Sequence, residues 1–235
     1  MKVNYSLVDQ KAEIEATQKE VSDFFGGIVP NFVKEGGGIL TDTVRFWRWK
    51  NQVNIIYRAK DLIVGDILFL ISCSDIVLKK DREKFEKVLV IHASDLPKGR
   101  GWSPHIWEII RGANEITLSL FEAKDRADSG DIWKKVKICI PEIALYDEIN
   151  DLVFGAEIGL MDFAVSNFHC IRVEKQSENS ASYFPKRMPD DSEIDINKSL
   201  AEQFNLIRVC DINRFPAFFY KNGQKFLIKV EKDNG

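Results

Sequence analysis

Two short segments, Asp66 to Ser72 and Val88 to His92, are filled with Ile, Leu, Val and Phe and offer no polar face. A strand with water on one side alternates apolar and polar residues; a strand that is apolar throughout must be covered on both faces. That pattern belongs to a sheet with helices packed on both sides. Both runs are too short to cross a bilayer, and the apolar stretch Leu62 to Cys73 is broken by Asp66, so no membrane partner is expected. Further strands are expected at Val3 to Val8, Val53 to Tyr57, Glu115 to Phe121 and Asp131 to Ile140. Helical spacing of apolar residues marks Gln10 to Phe25. Ser103-Pro104 opens a helix to about Arg111, and Pro141 opens a long one to about Phe168. Strands alternating with helices predict an α/β fold with a mostly parallel sheet.

The polar stretch Glu174 to Ser182 reads as a linker or surface loop. Beyond it lie a short helix near Ser199 to Leu206 and two strands, Pro216 to Tyr220 and Lys225 to Val230, flanking the tight-turn pair Asn222-Gly223. The chain is therefore divided into a catalytic domain, 1–172, and a C-terminal extension with a β-hairpin, 173–235. The 235 residues carry a formal net charge of −3, which supplies no global basic field for nucleic acid. Four scattered cysteines form neither a zinc pattern nor a disulfide framework, so no metal is expected. Residues Met1 to Tyr5 lack the apolar core of a secretory leader. A reducing cytoplasm is the expected location.

The chemistry concentrates after Val88. A buried strand ends in His92 and passes into Ser94-Asp95-Leu96-Pro97-Lys98-Gly99-Arg100-Gly101. Ligands of open α/β sheets bind beyond the carboxyl ends of strands, which is where His92 would sit. Gly99 and Gly101 allow close backbone approach, and Lys98 and Arg100 are able to meet phosphate. A histidine at a strand end also serves structure, and both cations also suit a solvated loop. Asp128, in a loop between two strands, adds the carboxylate that commonly fixes an imidazole tautomer and supports its cation.

The run Ile91 to Trp133 resembles the core of the 10-formyltetrahydrofolate-dependent formyltransferases. The matching parts are a histidine two residues before Ser94, then Leu96-Pro97, Gly99-Arg100-Gly101, a helix with Trp107 and Gly112, and Asp128-Ser129-Gly130. The segments Tyr183 to Arg208 and Phe215 to Val230 look most like the branch that formylates nucleotide-linked amino sugars. The first fifty residues match least. One departure stands out: many members have asparagine two residues before the histidine, where this chain has Val90. Valine has no donor for a developing oxyanion, so that task would fall to His92, a backbone amide or water.

The resemblance implies a Rossmann-like domain and a catalytic pair, His92 and Asp128. It places the pteridine of the co-substrate 10-formyltetrahydrofolate on Leu70 to Val77 and Ala123 to Asp128, with Ser72, Ser74, Ile76, Ala123 and Asp125 as contacts. Ser94, Lys98, Gly99 and Arg100 would face the amine substrate. Arg187, Asn205 and Arg208 would hold the phosphates or base of a sugar nucleotide, or else form surface ion pairs. Trp102, Trp107, His105 and His169 read as packing or structural residues. The implied acceptor is a UDP- or dTDP-4-amino-4,6-dideoxyhexose, which would place the enzyme in O-antigen and lipopolysaccharide synthesis. Because the hairpin exposes edges, a homodimer is also expected. Two alternatives stay open: a glycinamide ribonucleotide formyltransferase, and a non-catalytic homologue that binds folate or nucleotide sugar. A tRNA-directed enzyme fits poorly, for want of an RNA-binding stripe.

Overall fold

The computed structural model describes residues 2–7, 52–56, 61–73 and 76–233. The expected helix Gln10 to Phe25 and residues 26–50 lie outside them, as does Ser74. A six-stranded sheet has the order β2-β1-β3-β4-β6-β7. Its strands are β1 (Lys2–Leu7), β2 (Gln52–Ile56), β3 (Gly65–Ile71), β4 (Phe85–His92), β6 (Glu115–Glu122) and β7 (Ile132–Cys139). The first four pair in parallel, and β6 and β7 join antiparallel, so the mostly parallel α/β fold read from the sequence is the one found.

The apolar runs explain that sheet. In β3, Ile67, Phe69 and Ile71 enter one core cluster while Leu68 and Leu70 enter another. In β4, Leu89 and Ile91 join the first cluster and Val88 the second. Alternate side chains thus feed opposite faces, and both faces are buried. Each buried Ile, Leu or Phe contributes roughly 1.5–3 kcal/mol relative to an exposed one. β7 closes one edge of the sheet, and its Lys134, Lys135 and Lys137 give that edge the charge that discourages further pairing.

The long helix α3 (Tyr146–Asn167) covers one face with Ile149, Val153, Ala156, Leu160 and Ala164, spaced three and four apart. It begins five residues later than Pro141 predicts. Residues 141–144 form a turn instead, and Leu145 N–H donates to Glu148 Oε2 at 2.8 Å to start the helix. The turn carbonyls of Pro141 and Ala144 accept hydrogen bonds from Arg208 at 2.9 and 3.2 Å. Two shorter helices, α1 (Lys79–Arg82) and α2 (Pro104–Ile110), flank β4 in the chain. Ser103 precedes α2 as expected, but at φ 44° and with no side-chain cap.

The stretch read as a linker or surface loop is strapped to the domain. Glu174 exchanges two backbone hydrogen bonds with Ile132, and Gln176 Nε2 donates to Gly130 O at 2.7 Å. A two-residue strand, β8 (Tyr183–Phe184), then pairs in parallel with β5 (Arg100–Gly101). Helix α4 (Leu200–Arg208) follows, with Ser199 and Glu202 bonding each other's backbone N–H in a capping box. The hairpin of β9 (Ala217–Lys221) and β10 (Gln224–Ile228) turns on Asn222 and Gly223, at φ 52° and 80°. Both values match the turn that Asn-Gly favours. Among the described residues, no helix is long and apolar enough to cross a membrane.

Candidate active site

His92 closes β4 on the same face as Val88 and Val90. Val90 packs against the core cluster that holds Leu68 and Leu70 and against the one formed by Leu96, Phe121 and Ile132, so the floor beneath His92 is apolar. The imidazole keeps 13% of its side chain exposed. Its Nε2 lies 2.9 Å from Gly99 O, and because a carbonyl only accepts, Nε2 carries a proton. In the neutral ring, Nδ1 is then the free base.

Asp128 comes from the β6–β7 loop, at φ 54°. Its Oδ2 accepts the Gly101 N–H at 2.9 Å and stands 3.9 Å from His92 Nε2. The carboxylate is therefore too far for a direct hydrogen bond to the ring and acts on it through space. Gly99 O and Gly101 N–H, two residues apart, tie the histidine and the aspartate to one backbone segment. The arrangement sets a carboxylate oxygen beside the protonated nitrogen of the ring.

That segment is held from below and outside. Ser119 Oγ donates to Ser94 O at 2.7 Å and accepts Leu96 N–H at 3.4 Å. Gly99 N–H donates to Ser182 Oγ at 2.9 Å. A Cβ on Gly101 would stand 2.3 Å from Phe184 O, and one on Gly130 1.5 Å from Glu122 O, so both backbones approach where side chains cannot fit.

Several residues expected to meet ligands are placed otherwise. Arg100 is fully buried; it makes paired bonds to Glu178 at 3.0 Å each and reaches Gln176 and Tyr183. Its cation is spent on the strap rather than on phosphate. Ser94 is fully buried beneath Gly99, whereas Lys98 is exposed. Arg208 is buried and donates to Asn205 Oδ1 at 2.8 Å as well as to the two carbonyls of the 141–144 turn. Arg187 bonds Val209 O, Ser192 Oγ and Cys210 Sγ. These three residues fasten the C-terminal extension and make no hydrogen bond to His92 or Asp128. Trp107 Nε1 donates to Pro185 O, in line with a packing role, but Trp102 is exposed with Lys186 above its ring. Cys139 is exposed at the end of β7.

Of the segments expected to hold a pteridine, Leu70 and Val77 share a core cluster against which Ala123 packs. Ser72 follows β3, exposed and at φ 47°, and Ile76 is 80% exposed, an unusual state for a large apolar side chain. Arg82 donates to Val77 O at 2.7 Å and pairs with Asp125, which links this segment to the loop of Ala123 and Asp128. An exposed apolar side chain beside two backbone segments suits a flat heteroaromatic ring. Among the described residues, no cluster of three or more His, Cys, Asp or Glu is placed to hold a metal.

Two features had no sequence signal. His105, in the first turn of α2, has a buried Nδ1 without a partner; burial and then the neighbouring His92 push its pKa down to about 4. It stays neutral at pH 7 and adds no competing charge. Glu178 lies 78 residues from the arginine it holds, beyond the reach of any local pattern.

No protein-family model matches the chain. A methionyl-tRNA formyltransferase from Finegoldia magna is 26% identical over 184 residues, covering 76% of this chain. The chain spans only 58% of that relative's length. Among solved structures, a methionyl-tRNA formyltransferase from Clostridium thermocellum superposes with a TM-score of 0.73 at 21% identity, covering 100% of this chain and 95% of the other. HypX from Aquifex aeolicus in complex with tetrahydrofolic acid gives 0.67 at 15% identity, over 96% of this chain and 36% of that one. A 4-N formyltransferase from Francisella tularensis gives 0.65 at 15% identity, over 99% and 98% of the two chains. The fold of this chain is the fold of these formyltransferase structures.

Proposed function

We propose that this chain moves a formyl group from 10-formyltetrahydrofolate to the amine of a nucleotide-linked amino sugar. The observation that carries the reading is the His92–Gly99/Gly101–Asp128 arrangement: one ring nitrogen tied down, the other free, and a carboxylate at 3.9 Å. The uncharged amine forms a bond to the formyl carbon as the bond from that carbon to N10 of the folate breaks. The amine's proton must leave, and N10 must gain one. His92 Nδ1 accepts the first and returns it to N10, and Asp128 favours the ring while it is charged. A group of this kind contributes on the order of 100-fold to 10,000-fold.

Ser72, Ile76 and the loop from Ala123 to Asp128 would hold the pteridine, chiefly through backbone groups. A fold shared with a tetrahydrofolic acid complex supports that donor. A sugar N-formyltransferase from Shewanella sp FDAARGOS_354, which shares the fold, supports an amino-sugar acceptor, and a role in surface-glycan synthesis would follow from such an acceptor. A second reading, transfer to an aminoacyl-tRNA, is favoured by the relative from Finegoldia magna and the fold from Clostridium thermocellum. The two separate in one assay. Purified protein is given 10-formyltetrahydrofolate with UDP- and dTDP-linked 4-amino sugars, glycinamide ribonucleotide or methionyl-tRNA. We expect turnover on an amino sugar, reduced at least 100-fold in His92→Asn. Turnover on methionyl-tRNA alone overturns the acceptor, and an unimpaired His92→Asn overturns the mechanism.

A further inference from the structure

Three side chains of the strap, Gln176, Glu178 and Tyr183, bond the guanidinium of Arg100, and each of them also bonds the loop that carries Asp128. Glu178 takes Arg100 on both of its oxygens at 3.0 Å and, on Oε2, Arg126 at 3.1 Å. The Tyr183 hydroxyl accepts from Arg100 at 3.2 Å and from Arg126. Gln176 Oε1 accepts from Arg100 at 2.8 Å, while its Nε2 donates to Gly130 O at 2.7 Å. Arg126 and Gly130 lie two residues before and two residues after Asp128. Arg100 lies between the Gly99 carbonyl that ties down His92 and the Gly101 amide that ties down Asp128.

Neutralising a buried guanidinium does not require this sharing. One carboxylate balances one cation, and contact with a second arginine adds nothing to that balance. What the sharing does is bring two like charges together, which would move apart without the anion between them. Arg100 is fully buried and has no room to yield, whereas the side chain of Arg126 is 60% exposed. Loss of Glu178 therefore displaces the loop. Asp128 also sits at φ 54°, a conformation that a residue with a Cβ keeps when its surroundings hold it there. The strap supplies that hold from both sides.

We infer that Glu178 is a positioning residue for the transfer step, setting the Asp128 carboxylate against the His92 ring by way of Arg100 and Arg126. Residues 1–172 contain both members of the pair, but the spacing between them is governed from residue 178. The effect on rate rests on the formyl-transfer reading above; the placement of the Gly101 amide does not depend on it.

The test uses Glu178→Gln in the full chain, which leaves one amide oxygen for two guanidinium groups and turns an NH2 toward donors. Hydrogen exchange of the Gly101 amide, followed by NMR, should quicken roughly tenfold, with the sheet amides of Leu89 and Leu120 unchanged. With the acceptor that the wild-type chain uses, kcat should fall about 10- to 100-fold at nearly constant KM, as expected of a misplacement of about 1 Å. Most of that loss should vanish in the Asp128→Asn background, where no charge is left to position. Arg126→Gln covers the case of a variant that does not fold, because it leaves the Arg100–Glu178 pair intact. As it breaks an exposed pair, it should quicken Gly101 exchange and lower kcat by roughly 2- to 5-fold. Unchanged exchange at Gly101 in these variants overturns the inference. So does an equal loss of rate with and without the Asp128 charge, which would make Glu178 a purely structural residue. A wild-type chain that formylates no acceptor overturns the formyl-transfer reading instead, and the Gly101 exchange still decides whether Glu178 sets the link.

Discussion

Glu157 lies in the middle of α3 on its buried side, 5% exposed, with Oε2 lacking any hydrogen-bond partner. Burial in that apolar setting pushes its pKa up from 4.5 to about 8. The folded chain therefore keeps the carboxyl protonated at neutral pH, while the unfolded chain releases the proton. Below the unfolded pKa both states hold the proton, and the residue costs nothing through this route. As pH rises from about 4.5 to about 8, the unfolded state is progressively favoured, and above the folded pKa the full penalty is in force. A shift of that size corresponds to about 5 kcal/mol at 1.36 kcal/mol per unit, of which roughly 3 kcal/mol is expressed by pH 7. Glu157→Gln keeps the shape and removes the titration. Chemical denaturation at pH 5, 6, 7 and 8 should show the wild-type stability falling relative to the variant by about 3 kcal/mol across the series. For a chain of this length, the difference between the melting temperatures should change by roughly 6–12 °C over the same series. All other titratable groups are common to both proteins and cancel in the comparison. Two parallel curves would show that Glu157 is ionised in the folded state, and the reasoning from burial would fail.

Asp128→Asn keeps an oxygen to accept the Gly101 N–H and removes the charge 3.9 Å from His92. The rate of formyl transfer should fall about 10- to 1000-fold with little change in KM, corresponding to a loss of roughly 1.4–4 kcal/mol of charge stabilisation; a wild-type rate would show that the carboxylate serves only the backbone. Gly101→Ala sets a Cβ 2.3 Å from Phe184 O at a residue whose φ is +100°. We expect it to separate β5 from β8, lowering the melting temperature and the transfer rate together; a stable, fully active variant would mean that this pairing does not position the site.

The strands were readable because their chemistry is local. Asp66 to Ser72 and Val88 to His92 need cover on both faces whatever else the chain does, and they are found in the middle of the sheet. Asn222-Gly223 declares its turn in two residues. The misreadings share a different cause. Pro141 favours a helix start, but its carbonyl and that of Ala144 are wanted by Arg208, far along the chain, and the helix begins at Tyr146. Glu174 to Ser182 does lie at the surface, as its polarity predicts, but that Gln176 and Glu178 also hold a buried guanidinium has no local signal. Arg100 and Arg208 looked like cations awaiting a ligand. A sequence shows that a charge exists, but not which distant carboxylate or carbonyl has already claimed it. The same limit applies to His92 and Asp128: each could be picked out, but their connection through Gly99 O and Gly101 N–H belongs to the folded backbone.

That connection makes the peptide groups themselves the working parts between the two side chains. Scanning the loop with alanine at Lys98 or Arg100 leaves the Gly99 carbonyl and the Gly101 amide chemically untouched, so such a scan is blind to the link that joins imidazole to carboxylate. An amide-to-ester replacement at Gly101, which deletes one hydrogen-bond donor and no side chain, addresses it directly. Information about this site is stored in the path of the main chain.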